Sequence, residues 1–164
     1  MSSPDVPVAE GVEARETGEG KFQVEIRTGG ATFVADEPAE IGGLGSGPTP
    51  YDLLGSALAA CTVMTLRLYA ERKGWPLAAA RVRVLHRREG LDAKDRFARE
   101  VVLDGPLSAD QRRQLLEIAN RCPVHRTLER GAELVTVLAE APLPGKLDPA
   151  PAEHMADMME ACAD

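Results

Sequence analysis

Between residues 22 and 26 apolar and polar positions alternate strictly, with Phe22, Val24 and Ile26 on one side and Gln23 and Glu25 on the other. A period of two is that of a half-buried strand. Turn-forming residues flank it, Thr17-Gly18-Glu19-Gly20 before and Thr28-Gly29-Gly30 after, so residues 11–35 are predicted to form an antiparallel meander of three strands, the third ended by Pro38. The pattern then changes. From Leu53 to Leu66 the chain is apolar on nearly every side of a helix, relieved only by Gly55, Ser56, Thr62 and Thr65. Thr49 suits the N-cap, Pro50 the first helical position and Asp52 a capping-box-like start, while Gly74 and Pro76 end the helix after about Lys73. A helix apolar all round must be covered all round. One chain of 164 residues does not easily do this, so a second copy is expected to help, as a homodimer.

Two further strands, Val82–Glu89 and Phe97–Leu103, are joined by a charged turn at 90–96. Ser108-Ala109-Asp110-Gln111 is a capping box that starts a helix reaching about Asn120. Cys122-Pro123 begins another short helix, closed by Gly131, and Glu133–Ala139 reads as a last strand. Strands followed by helices, without regular βαβ alternation, indicate an α+β fold. Residues 1–140 are read as the domain and 141–164 as a tail: a linker carrying Pro142, Pro144, Pro149 and Pro151, then an amphipathic helix over about 151–162 with Met155, Met158, Met159 and Cys162 on one broad side. The glycine-rich stretch 42–48 matches neither the P-loop nor the dinucleotide-binding pattern, and Leu44 spoils a nucleophile elbow; it reads as a flexible lead into the long helix.

Composition, 44% hydrophobic and 27% charged, is that of an ordinary globular chain. No run approaches eighteen apolar residues free of charge, and residues 1–7 lack a basic region and an apolar stretch, so neither a membrane nor a secretory signal is expected. The expected location is cytoplasmic, where thiols stay reduced. A net charge of −7 argues against nucleic acid as a partner; the arginines at 81, 83, 87 and 88 and at 121, 126 and 130 read as solvated faces. Three cysteines at 61, 122 and 162 include no C-x-x-C pair, which excludes a zinc ribbon and a thioredoxin-type motif. No cofactor and no metal are predicted. His154, Met158 and Cys162 recur every four residues, but two or three ligands of mixed softness on one exposed helix suit a docking helix better than a metal site.

Cys61, in Ala59-Ala60-Cys61-Thr62, reads by itself as a small core residue. Cys122 is different. In Arg121-Cys122-Pro123-Val124-His125-Arg126 it stands at or beside a helix N-cap, where first-turn N–H groups, the helix dipole and Arg121 and Arg126 stabilise a thiolate. His125 either tunes this thiol or is a partly exposed first-turn residue.

Gly47-Pro48-Thr49-Pro50-Tyr51-Asp52-Leu53-Leu54, followed by Ala57-Leu58-Ala59-Ala60-Cys61-Thr62, resembles the central helix of the OsmC/Ohr family, and Asn120-Arg121-Cys122-Pro123-Val124-His125-Arg126-Thr127-Leu128 resembles its second cysteine motif. The resemblance covers roughly residues 11–140, and the segment Tyr69–Leu77 looks closest to the OsmC-like branch. It implies antiparallel sheets around a long central helix in an intertwined homodimer. It also implies a thiol peroxidase for organic hydroperoxides, less active on hydrogen peroxide. Cys61 would be the peroxidatic thiolate, Cys122 the resolving thiol, and an external dithiol, lipoyl-type or other, the reductant. Where the family's peroxidases carry glutamate after the helix-start proline, this chain has Tyr51, with Asp52 as the adjacent acid. Where they use an arginine from the N-terminal hairpin, the candidates are Lys21 and Arg27, with Arg15 nearby. The competing readings are a non-enzymatic module that binds an apolar small molecule or senses redox state, and thiol–metal binding through Cys61, Cys122 and His125.

Overall fold

The computed structural model describes residues 11–136, 138 and 153–163. These divide into two units, residues 11–50 with the described part of 133–138, and residues 51–132 with 153–163.

The first unit holds the predicted meander. Strands β1 (Glu13–Glu16), β2 (Val24–Arg27) and β3 (Thr32–Ala35) pair antiparallel in that order, with Ile26 opposite both Ala14 and Phe33. Thr28 closes the second turn, donating its N–H to the Ala31 carbonyl at 2.9 Å and accepting the Ala31 N–H at its hydroxyl at 3.1 Å. After β3 comes a buried carboxylate, Asp36, which accepts the N–H groups of Leu44 and Ser46 at 2.9 and 3.2 Å and the Ser46 hydroxyl at 2.8 Å. The glycine-rich stretch is therefore not the flexible lead the sequence suggested: it is folded back and tied to Asp36. Glycine is needed because a Cβ at Gly43 or Gly47 would strike the carbonyl oxygen of Glu37 or Val34. Burial raises the Asp36 pKa. The Ser46 hydroxyl and the N–H groups of Glu37, Ser46 and Leu44 outweigh it and hold the carboxyl below the ordinary 3.8.

The second unit is built on α1 (Pro50–Arg72), 23 residues or roughly 35 Å of helix. It stops where Gly74 enters the left-handed region at φ 63°, with the Trp75 N–H reaching back to the Ala70 carbonyl at 2.8 Å. Strands β4 (Ala79–Arg87) and β5 (Arg96–Asp104) pair antiparallel, Val84 opposite Arg99 and His86 opposite Phe97. Their strict alternation places Ala80, Val82, Val84, His86, Phe97, Arg99, Val101 and Leu103 on the less exposed face. β4 begins three residues earlier than the predicted Val82 because Ala79 pairs with Asp104. Helix α2 (Ala109–Ala119) carries the predicted capping box in full: the Ser108 hydroxyl accepts the Gln111 N–H and the Gln111 side chain accepts the Ser108 N–H. Helices α3 (Pro123–Arg130) and α4 (Glu153–Ala161) complete the unit.

Two hydrophobic clusters lie along α1. One joins Leu66, Tyr69 and Ala70 to Leu77, Leu107, Leu115, Ile118, Ala119 and Cys162. The other joins Leu58 and Cys61 to Cys122 and Met158. The fold class is α+β, with antiparallel sheets and one long helix. By length and mean hydropathy α1 could also cross a membrane, a test that the core helix of a globular protein equally passes.

One predicted element is not formed: residues 133–136 and 138 are in no strand, and the rest of the expected Glu133–Ala139 strand lies outside the described residues. A strand needs a ladder partner, and none pairs with this stretch among the described residues; Leu134 and Leu138 stand 89% and 100% exposed. The expected linker at 141–151 also lies outside the described residues. In α4 the expected shared side is narrower than the sequence suggested: Met158 and Cys162 are buried and Met155 half-buried, whereas Met159 is half exposed.

Candidate active site

The two thiols reach one place by different routes. Cys61 lies at the middle of α1, buried together with Leu58, Thr62 and Thr65. Cys122 follows the end of α2: the Arg121 N–H closes a turn on the Ile118 carbonyl, and Cys122 takes an extended conformation (φ −61°, ψ 141°) as N-cap of α3, with Pro123 at the first helical position. Its sulfur accepts the His125 N–H at 3.3 Å, the role normally taken by a serine or aspartate oxygen. Both thiols are free and buried, and a hydrogen bond links the two sulfurs. Met158 of α4 packs against the pair, with Val84, Phe97, Val124 and Leu128 around it.

The pair shares one charge unequally. The Cys122 pKa is lowered to about 5, first by the hydrogen bond from Cys61, against the opposing effect of burial, then by the His125 N–H, the Thr62 hydroxyl and the positive charge of Arg99. The Cys61 pKa is raised, first by that same bond to Cys122 and then by burial, with the Val124 N–H and the Thr65 hydroxyl acting the other way.

Arg99, on the inner face of β5, organises the surroundings. Its Nη1 donates to the Thr62 hydroxyl at 2.9 Å and to the Ala119 carbonyl at 2.8 Å; its Nη2 donates to Asn120 Oδ1 at 2.7 Å and to His125 Nδ1 at 3.1 Å. A guanidinium only donates, so His125 Nδ1 accepts and the ring proton sits on Nε2, which faces Glu129 at 3.7 Å. Thr62 in turn donates to the Leu58 carbonyl at 2.7 Å and lies 3.7 Å from Cys122 Sγ.

Of the other predicted site residues, Asp52, His125 and Arg126 belong to the second unit and Lys21 and Arg27 to the first. Asp52 lies in the first turn of α1, nine residues before Cys61: roughly 13 Å along the axis and on the opposite side of an ideal helix. Tyr51 stacks on His86 with ring centroids 4.4 Å apart and accepts a hydrogen bond from Arg88, while His86 bonds Asp95 at 2.7 Å. Lys21 and Arg27 belong to the first unit, Lys21 with Nζ over the Phe22 ring and Arg27 at the exposed end of β2. The Arg126 side chain is exposed, whereas its main-chain N–H bonds the Cys122 carbonyl in the first turn of α3. His125 does join the site, through its main-chain N–H and ring together. Sequence reasoning missed Arg99, Thr62 and Met158. Arg99 left a signal: in Phe97, Arg99, Val101 and Leu103 it is the one charge on the apolar side of an alternating strand. Beside it opens a pocket of about 390 Å³, with Leu58, Phe97, Leu116 and Leu128 among its apolar walls and Lys94, Asp95, Arg99, His125 and Glu129 among its polar ones.

Antiparallel sheets, one long helix and a buried dithiol between that helix and an N-cap define a class of protein. The family model described as OsmC-like protein matches residues 43–137, more than half of the chain, and the chain belongs to that family. A search of curated protein sequences gave no match. Among solved structures the chain is similar to an OsmC-like protein from Mycoplasma pneumoniae (20% identity, TM-score 0.60, covering 76% of this chain and 89% of that one). It is also similar to an organic hydroperoxide resistance protein, OsmC, from Legionella pneumophila (22%, 0.57, 73% and 88%). A third is the organic hydroperoxide resistance protein OhrB of Bacillus subtilis (19%, 0.51, 72% and 88%). At these identities the likeness is one of fold.

Proposed function

We propose that the protein is a thiol-dependent peroxidase that reduces organic hydroperoxides through Cys61 and Cys122. The observation that carries this reading is the pair itself: two free, buried thiols brought by separate elements into one cluster. Cys61 is the sulfur that reacts first, the role that the resemblance of its helix to the family's central helix implies. Cys61, as the thiolate, attacks the distal peroxide oxygen and the O–O bond breaks. The alkoxide leaves and takes a proton from water; Cys61 becomes a sulfenic acid. The Cys122 thiol then attacks that sulfur, forming the disulfide and releasing water with the sulfenic hydroxyl. An external dithiol restores both thiols by exchange. The working form is a homodimer, a reading supported by the apolar side chains that α1 leaves exposed.

Titration of thiols after one equivalent of cumene hydroperoxide tests this in wild type, Cys61→Ser, Cys122→Ser and Cys162→Ser. The expected result is rapid loss of two thiols, abolished by Cys61→Ser, stopped at a sulfenic acid in Cys122→Ser and unchanged in Cys162→Ser. Slow, unselective oxidation in every variant refutes the enzyme. The second reading, a module that binds an apolar small molecule, is favoured by the apolar walls of the open pocket beside Arg99 and predicts ligand binding that survives Cys61→Ser.

A further inference from the structure

Resting on the dithiol reading, we propose that Met158 of α4 sets the size of the hydroperoxide admitted to Cys61: its side chain fills the apolar space against both thiols, and an organic group reaches the sulfur only as far as that side chain yields.

For a thiolate to attack the distal oxygen, the two atoms must come within about 3.5 Å of each other. The proximal oxygen and its organic group then lie inside the cluster that holds Cys61. In the structure that space is taken. Met158 is 0% exposed and packs with Leu58, Cys61 and Cys122, which are 3%, 6% and 0% exposed. The open pocket of about 390 Å³ shares Leu58, Phe97 and Leu128 with the surroundings of the thiols, yet neither thiol is among its walls. Room beside Cys61 has to come from a wall that moves.

Most of the walls are fixed. Val84 and Phe97 belong to paired strands, Val84 opposite Arg99 and Phe97 opposite His86 in the ladder. Leu58 lies inside the 23-residue α1. Val124 and Leu128 belong to α3, whose N-cap is Cys122, so shifting α3 moves a thiol. Helix α4 is different. It has nine residues, too few for much stability of its own. It is tied to α1 by the Arg72 guanidinium on the Met159 carbonyl at 2.7 Å and by the Cys162 thiol on the Thr65 carbonyl at 3.7 Å. Met158 itself is unbranched and adapts its rotamer where a β-branched side chain is stiff. This wall comes from outside residues 43–137, the stretch that the family model matches.

The test compares wild type, Met158→Ala and Met158→Ile, with circular dichroism to establish folding. Two ratios are measured. One is the rate of cumene hydroperoxide consumption over that of hydrogen peroxide. The other is the rate of Cys61 alkylation by N-phenylmaleimide over that by iodoacetamide, read by mass. Met158→Ala is expected to raise both by about tenfold, the order that a methylene or so of room is worth in an apolar site. Met158→Ile, of similar volume but stiff, is expected to lower both. A packing role alone changes stability and leaves the ratios where they are. Where hydroperoxide is consumed its ratio decides, and otherwise the alkylation ratio does. A folded Met158→Ala with that ratio unchanged overturns the proposal; should it not fold, an unchanged ratio in Met158→Ile overturns it instead. A shifted alkylation ratio in a protein that consumes no hydroperoxide supports the role of Met158 and refutes the peroxidase; hydroperoxide consumption with unshifted ratios does the reverse.

Discussion

Asp36 and the thiol pair show how single side chains set local conformation here. Asp36 gathers three donors from the stretch 44–46, and its hydrogen bonds hold the pKa below 3.8. A lowered carboxylate pKa contributes stability that is complete above the unfolded value and is lost as pH falls through the folded one. Asp36→Ala should therefore lower the melting midpoint by several degrees at neutral pH, and its difference from wild type should shrink below pH ~4. Thermal melts across the acid range read this directly, and a pH-independent difference contradicts it. For the thiols the sign is the same at Cys122, whose charge persists as pH falls until about 5. One equivalent of alkylating reagent should therefore react at a rate that rises through pH ~5 and then levels off. A rate that keeps rising to pH ~8.5 is the signature of an unperturbed thiol and contradicts the shared charge.

At the scale of elements, α4 matters more than its position in the sequence suggested. It lies outside the stretch matched by the OsmC-like family model, yet Met158 is fully buried against the thiol pair. The helix is held by the Arg72 guanidinium on the Met159 carbonyl at 2.7 Å and by the Cys162 thiol on the Thr65 carbonyl at 3.7 Å. Burial keeps the Cys162 pKa raised, partly offset by Arg72 and Arg121, and this thiol packs in the other cluster, with Leu66 and Leu115. Ending the chain after Ala152 should remove about 2 kcal/mol of burial at Met158 alone and speed maleimide labelling of Cys61 and Cys122 roughly thirtyfold, the factor to which a loss of that size in the opening equilibrium corresponds. Unchanged labelling would show that α4 does not cover the thiols. The alternation of β4 and β5, the capping box of α2 and the glycine stop of α1 were legible in the sequence because each depends on neighbours within a few residues. The tether from Asp36 to the glycine-rich stretch was not legible, because a carboxylate gives no sign of which N–H groups will fold back onto it.

For the whole molecule, the side chains that α1 leaves exposed, Tyr51, Leu54 and Met64 at 38%, 43% and 51%, are the ground for expecting a second copy. Light scattering should give twice the chain mass; a monomer at micromolar concentration contradicts the intertwined arrangement. By itself the sequence determined the period of each strand and helix, the caps, the α+β order and the positions of two cysteine motifs, because these follow from local backbone preferences and from which face must leave water. Only the tertiary structure decided what surrounds the two thiols. That depends on Arg99 of β5 and Thr62 of α1 meeting the N-cap of α3, and on Met158 arriving from α4. Electrostatics of this kind acts through space at a few ångströms, and chain order carries no measure of that distance.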